Sequence, residues 1–199
     1  MGGAMCAALR RSETALAVAP PTALPRRAGW RDRRRVGRAG RDGVTAGRDV
    51  VVGKRVVFDV APGGRVALAD GVALGDGCRV HVAAGAVVSI GAATRLGERC
   101  VITAHAGVSI GAGCLLADAV VLADAGPRLH DVERPVREQG LIAAPVAVGD
   151  GVRIGPAAAL LSGVRVGDGA TIAAHAVVTK DVAPGAAVDG APARAPRRR

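Results

Sequence analysis

The sequence predicts an all-β chain: a parallel β-helix of about five coils, with a disordered basic N-terminal tail and one excursion loop. Three observations predict it. Aliphatic residues recur every six positions through most of residues 51–193. A second small or aliphatic residue follows four positions after nearly every one of them. The chain has 199 residues and is 50% hydrophobic, yet Trp30 and Phe58 are its only aromatic side chains.

The repeat is clearest in the C-terminal half. Val148, Ile154, Leu160, Val166, Ile172 and Val178 stand six apart. Their partners four positions on are Val152, Ala158, Val164, Ala170, Ala176 and Val182. Earlier runs are Leu68–Leu74–Val80, Ile90–Leu96–Ile102 and Ile110–Leu116–Leu122. Their partners are Val72, Cys78, Ala84, Thr94, Cys100, Ala106, Cys114, Val120 and Gly126. A period of six is neither that of an α-helix nor that of a simple strand. It fits one short strand plus one turn, three of which make a triangular coil. Both repeat positions then point inward, and the prism is too narrow for rings. The steps from Val80 to Ile90 and from Ile102 to Ile110 exceed six, so those coils carry extra residues. Gly after the aliphatic, at Gly149, Gly155 and Gly167, is read as supplying turn conformations.

Charge divides the chain. Residues 1–50 hold eleven Arg and four acids, and residues 194–199 hold four Arg and no acid. Between them, twelve Lys and Arg meet thirteen Asp and Glu. The formal charge of +10 therefore sits at the two ends, and residues 51–193 form a near-neutral folded unit. The 1–50 segment has no lasting period and is read as disordered, because it cannot bury enough apolar area to offset its ordering entropy. A basic end binds anions without specificity. Sequence-tolerant nucleic-acid binding also needs aromatic platforms, which this chain lacks, so no specific nucleic-acid role is expected.

The longest uncharged run, Val101–Ala117, has 17 residues with His105 and three Gly inside it, short of the roughly 20 apolar residues a membrane span needs. The apolar stretch Ala15–Ala19 is stopped by Pro20–Pro21 and is too short for a signal peptide. A cytoplasmic protein is expected. Cys78, Cys100 and Cys114 fall on inward positions and read as small core fillers. No Cys–x–x–Cys or Cys/His ligand spacing is present, so no metal is expected.

Residues 124–145 break the period. They hold His130, Asp131, Glu133, Arg134, Arg137 and Glu138. So long an excursion from a solenoid is usually functional or disordered. Around it lie more specific marks. They are Asp124, Arg134-Pro135-Val136 and Gln139-Gly140, then Val148-Gly149-Asp150-Gly151-Val152-Arg153-Ile154-Gly155. Val178-Thr179-Lys180-Asp181-Val182-Ala183-Pro184-Gly185 and Val188-Asp189-Gly190-Ala191-Pro192-Ala193-Arg194 follow. With these marks the chain resembles, over roughly residues 50–193, the hexapeptide-repeat O-acetyltransferases, including the maltose, galactoside and surface-polysaccharide enzymes.

The resemblance implies a left-handed β-helix, against the usual right-handed crossover. It implies a homotrimer with sites between subunits, acetyl-CoA as donor, and a small-molecule hydroxyl acceptor such as a sugar. It places Gly155, Ala173, Thr179 and Lys180 near the donor, with Lys180 suited to a phosphate. It assigns general-base catalysis to a His in the excursion, which suits an imidazole at neutral pH. Counted without a gap from Asp124 to Gln139-Gly140, the family's base position falls on Pro127, and His130 stands three residues later. Either the loop is re-registered and His130 takes the role, with Asp131 or Glu133 orienting it, or the usual base is missing. In the second case the chain is a non-catalytic trimeric β-helix that binds a partner or ligand. Arg153 stands where the family often has Trp. Asp124, at the foot of the loop, joins His130 and Asp131 in the candidate catalytic set. His81, His105 and His175 are read as outward turn residues. The metal-binding carbonic anhydrases that share this fold need a close His pair separated by four residues, which is absent here.

Overall fold

A computed structural model describes residues 43–128, 133, 135 and 138–195. No described residue lies in an α-helix. Three parallel sheets run the length of the molecule. Sheet A stacks β1 (Val44–Ala46), β4 (Arg65–Leu68), β7 (Val87–Ile90), β10 (Val108–Ile110), β15 (Val146–Val148) and β18 (Arg165–Val166). Sheet B stacks β2 (Val51–Val52), β5 (Ala73–Leu74), β8 (Arg95–Leu96), β11 (Leu115–Leu116), β16 (Arg153–Ile154), β19 (Thr171–Ile172) and β21 (Ala187–Val188). Sheet C stacks β3 (Val57–Val60), β6 (Arg79–Val82), β9 (Val101–Ala104), β12 (Val121–Ala123), β17 (Ala159–Leu160) and β20 (Val177–Val178). The chain visits A, B and C in turn, so each circuit is one coil of a β-solenoid. A short antiparallel pair, β13 (Ala125–Pro127) with β14 (Leu141–Ala143), forms the base of the excursion.

The hexad sets the register. Ile110 lies beside Val148, Leu116 beside Ile154 and Leu122 beside Leu160. Like residues therefore stack on like through the prism, and one continuous aliphatic core results. No strand partner is local, so the core rather than any single hairpin holds the coil together.

Three sequence expectations need correction. First, there are about six coils, not five, because the solenoid begins at Val44 rather than after residue 50. Ala46, Val52 and Phe58 do keep the six-residue step, but Ala46 is a weak marker among charged neighbours. Arg48, counted among the tail charges, binds Asp70 through its amide and its guanidinium, which holds the Asp70 carboxyl below its usual range. The rest of the 1–50 stretch, residues 1–42, lies outside the described residues, as do 196–199.

Second, Ala84 and Ala106 are exposed rather than inward. The extra residues of these two coils lengthen β6 and β9 to four residues. Val82 and Ala104 then turn inward, followed by Ala86 and Val108. The corner from sheet C to sheet A is equally wide in the first coil, between β3 and β4.

Third, the Gly after each aliphatic does not serve a left-handed turn. The positive-φ glycines stand at other places, such as Gly77, Gly151 and Gly169. Gly53 and Gly155 lack a Cβ because the next coil fills its place. A Cβ on Gly53 would lie 2.5 Å from the Asp76 carboxylate, and one on Gly155 would lie 2.5 Å from the Ala174 nitrogen. The same arrangement brings Asp70, Asp76, Asp118, Asp150 and Asp168 to accept an amide N–H one coil away, at 2.7–2.9 Å. These Gly and Asp columns lie on the A–B and B–C corners.

Cys78, Cys100 and Cys114 are free and buried, as core fillers should be. The Cys78 thiol beside it, and then burial, push the Cys100 thiol up, and burial pushes up Cys114. The Cys100 thiol beside it draws the Cys78 thiol down, toward the reactive thiolate, yet Cys78 is 1% exposed, so burial keeps all three from a reagent. A Cys6→Ser protein should therefore show no fast reaction with a disulfide reagent when folded, and three equivalents in denaturant. Rapid labelling of the folded form would contradict this packing.

Candidate active site

The excursion leaves the solenoid at the C–A corner, after β12, and returns into β15. Its two feet are tied together. The Ala144 amide donates to the Asp124 carbonyl at 2.9 Å. The Ser162 hydroxyl donates to the same carbonyl at 2.8 Å and accepts from the Ala144 amide at 3.0 Å. Pro127 pairs with Leu141 in the antiparallel base, and the Arg128 amide donates to the Gly140 carbonyl. His130 and Asp131 lie outside the described residues.

Asp124 is fully buried, and it is the one buried acid among the described residues. Its carboxylate accepts from three successive amides of the coil before it. His105 donates at 2.8 and 2.9 Å to the two oxygens, Ala106 at 2.7 Å and Gly107 at 2.6 Å. Successive amides around a tight corner form a natural anion cradle. The extra residues after Ala104 make that corner, so a departure from the period creates the site. Both Asp124 oxygens are thus committed to the backbone, which suits positioning better than contact with a substrate.

His105 does not face outward as the sequence suggests. The widened corner leaves it 29% exposed in its side chain, with Nδ1 buried and 3.8 Å from Asp124 Oδ1. Among the described residues Nδ1 has no hydrogen-bond partner. Its ring lies 5.9 Å from that of His81, and His81 Nδ1 lies 2.8 Å from Asp59 Oδ2. Asp59, His81, His105 and Asp124 therefore climb one corner of the solenoid. The signal that could have found His105 is the eight-residue step from Ile102 to Ile110. His81 and His175 are exposed turn or strand residues, as read from the sequence.

The four donor-site candidates divide between two corners. Thr179 and Lys180 follow β20 and are exposed on the C–A corner, two strands along sheet C from Asp124. Gly155 and Ala173 follow β16 and β19 on the B–C corner, stacked on each other and buried. Arg153 lies on the outer face of sheet B, between Leu115 and Thr171. Small residues thus line one corner, and Lys180 is exposed on the next. Among the described residues no group of three or more His, Cys, Asp or Glu is placed to hold a metal ion. No described helix is long and apolar enough to cross a membrane.

Two family models match the chain. The bacterial transferase hexapeptide (six repeats) covers residues 145–180, and the hexapeptide repeat of succinyl-transferase covers residues 87–123. A protein of Mycobacterium tuberculosis named as a probable acetyltransferase is 32% identical over 85 residues, 43% of this chain and 28% of its own length. A 2,3,4,5-tetrahydropyridine-2,6-dicarboxylate N-acetyltransferase of Staphylococcus aureus is 54% identical over 52 residues, 26% of this chain and 22% of its own. These matches span under a third of those relatives' lengths. A hexapeptide-repeat acetyltransferase of Vibrio cholerae, solved with acetyl-CoA, shares the fold. Its TM-score is 0.58 at 21% identity, covering 89% of this chain and 79% of that one. An N-acyltransferase of Bacillus cereus, solved with CoA and a dTDP-amino sugar, shares it at TM-score 0.68 and 16% identity, covering 82% and 88%. A polysialic-acid-specific acetyltransferase does so at TM-score 0.56 and 23% identity, covering 79% and 87%. The hexad, the coil it builds and these two models show that residues 87–123 and 145–180 carry hexapeptide repeats of the kind found in bacterial transferases.

Proposed function

We propose that the chain moves an acetyl group from acetyl-CoA to a hydroxyl of a sugar or related small molecule, as a homotrimer in the cytoplasm. One observation carries the reading. The long excursion from the repeat rises at the corner that also bears His105, the buried Asp124 and, further along, Thr179 and Lys180. The donor would lie along the late coils, with Lys180 offering its ammonium to a phosphate and Gly155 and Ala173 keeping the adjacent corner low. His130 and Asp131 remain loop candidates for the base and its orienting acid. The sugar acceptor draws support from the polysialic acid and dTDP-sugar enzymes that share the fold. The trimer draws support from exposed valines on the outer face of sheet C, Val57 and Val121. Three free buried thiols fit a reducing compartment.

Calorimetric titration with CoA and acetyl-CoA tests the reading, with about one site per chain expected. Lys180→Ala should weaken CoA about fivefold, the scale of one exposed ion pair, and the loss should shrink in high salt. Unchanged affinity would remove Lys180 from the site. A second reading, a non-catalytic β-helix, is favoured by Pro127, which stands in β13 with no titratable group. A folded trimer that binds neither CoA nor acetyl-CoA would favour it. The acceptor screen includes amines, because the Staphylococcus aureus relative is named as an N-acetyltransferase.

A further inference from the structure

We propose that His105, held by Asp124, is the general base of this site, in place of a histidine in the loop. The proposal rests on the acyl-transfer reading. A base needs one ring nitrogen fixed by an orienting group and the other presented to the acceptor. His105 is placed for the first condition: Nδ1 is buried, has no hydrogen-bond partner among the described residues, and lies 3.8 Å from Asp124 Oδ1. The side chain as a whole is 29% exposed, so the ring is open to an acceptor at an atom other than Nδ1, and Nε2 takes that role. The separation exceeds a hydrogen bond, and such contacts commonly tighten only when substrate is bound. Asp124 cannot move to close it, since three backbone amides hold its oxygens. A small rotation of the His105 ring would.

Place supports the same assignment. His105 lies directly beneath the foot of the excursion, one strand before Asp124 in sheet C. Thr179 and Lys180 lie on the same corner, three strands along, roughly 14 Å at the usual inter-strand spacing. That is the scale of a pantetheine arm laid along the corner, phosphates near Lys180 and thioester near His105. The groups facing His105 are Asp124 from the end of β12 and His81 from β6, the latter paired with Asp59 from β3. His81 has the shorter contact, 2.8 Å to Asp59, but both of those side chains are exposed to solvent and His81 stands one strand further from the excursion, which makes it the poorer candidate.

The step balances. The acceptor hydroxyl gives its proton to His105 Nε2 as its oxygen bonds to the thioester carbonyl carbon. The carbon–sulfur bond then breaks. The leaving thiolate takes the proton back from Nε2, so an ester and free CoA form and the ring returns neutral.

The test uses the full chain with acetyl-CoA and p-nitrophenyl glycosides as acceptors, comparing His105→Ala, His105→Gln and His130→Ala. His105→Ala and His105→Gln should each lower kcat/KM about 10²–10⁴-fold, the usual worth of a general base. The CoA dissociation constant should stay within twofold, and the acidic limb of the rate–pH profile should vanish. His130→Ala, the variant of the rival loop base, should cost less than either His105 variant. Loss confined to His130→Ala, or a fall in CoA binding that matches the fall in rate, would overturn the proposal and leave acyl transfer standing. A parent protein that binds no CoA would overturn both. If the parent binds CoA but turns over none of these acceptors, nitrogen-15 spectra of the imidazoles decide. A proton on His105 Nδ1, with its resonance moved by Asp124→Asn, supports the assignment, and a proton on Nε2 alone rejects it.

Discussion

Replacing Asp124 with Ala should cost the folded chain about 3–5 kcal/mol, the largest loss expected from any single polar side chain here. The reason is the number of donors left behind. Four hydrogen bonds from the amides of His105, Ala106 and Gly107 end on this one carboxylate. Each buried amide that loses its acceptor costs about 1–3 kcal/mol. Water could reach part of the corner, which keeps the sum below the simple total. Asp150→Ala is the control, because its carboxylate is exposed and accepts one amide, from Ala112 at 2.7 Å. It should cost about 1 kcal/mol or less. Urea unfolding of the two variants, followed by circular dichroism, checks the difference. Equal losses would mean that the corner is held by the core alone and that Asp124 is one more cap. Asp124→Ala should also abolish transfer, while CoA still binds through Thr179 and Lys180, two strands away.

The contrast between Asp124 and Asp150 shows how far the sequence can be read. The hexad is a statement about which residues face inward, and it holds wherever the step is six. Ile154, Leu160 and Ile172 are fully buried, as are Val152, Ala158 and Ala170. Where the step lengthens, the same rule misplaces Ala84 and Ala106, because extra residues extend a strand before they turn the corner. His105 is misread for that reason. The period treats it as the third residue of a standard turn, whereas the chain holds it beside a carboxylate nineteen residues later. Nothing local in the sequence announces that meeting, since it depends on how one coil lands on the next. Gly155 is misread in the opposite way. Its position was plain from the repeat, but its purpose was assigned to backbone conformation instead of to the coil above it.

Gly155→Ala separates those two purposes. If Gly155 served a turn of unusual φ, the cost would be local strain and the neighbouring coil would be indifferent. Instead its φ is ordinary, and an added Cβ would lie 2.5 Å from the Ala174 nitrogen and 2.8 Å from the Ala173 carbonyl carbon. Both are backbone atoms of the next coil, held in place by the Ala173 amide bonded to the Val188 carbonyl and the His175 amide bonded to the Pro156 carbonyl. Neither can swing away as a side-chain tip would. The coils must part at the B–C corner, an overpacking cost of about 1–3 kcal/mol, only partly offset by the lower chain entropy of unfolded Ala. A net loss of about 2 kcal/mol lowers the melting temperature by about 4–8 °C in a chain of this size. Gly126→Ala is the matched control: its φ is also ordinary, nothing lies within 4 Å of the added Cβ, and it should change stability by under about 0.5 kcal/mol. Calorimetric melting of both variants, followed by CoA titration well below the lower midpoint, gives two separate readouts. Lost stability with unchanged CoA affinity would make Gly155 a residue of the coil stack alone. Lost affinity in a variant that melts like the parent would instead assign Gly155 to the donor channel, where the missing Cβ leaves room for the ligand.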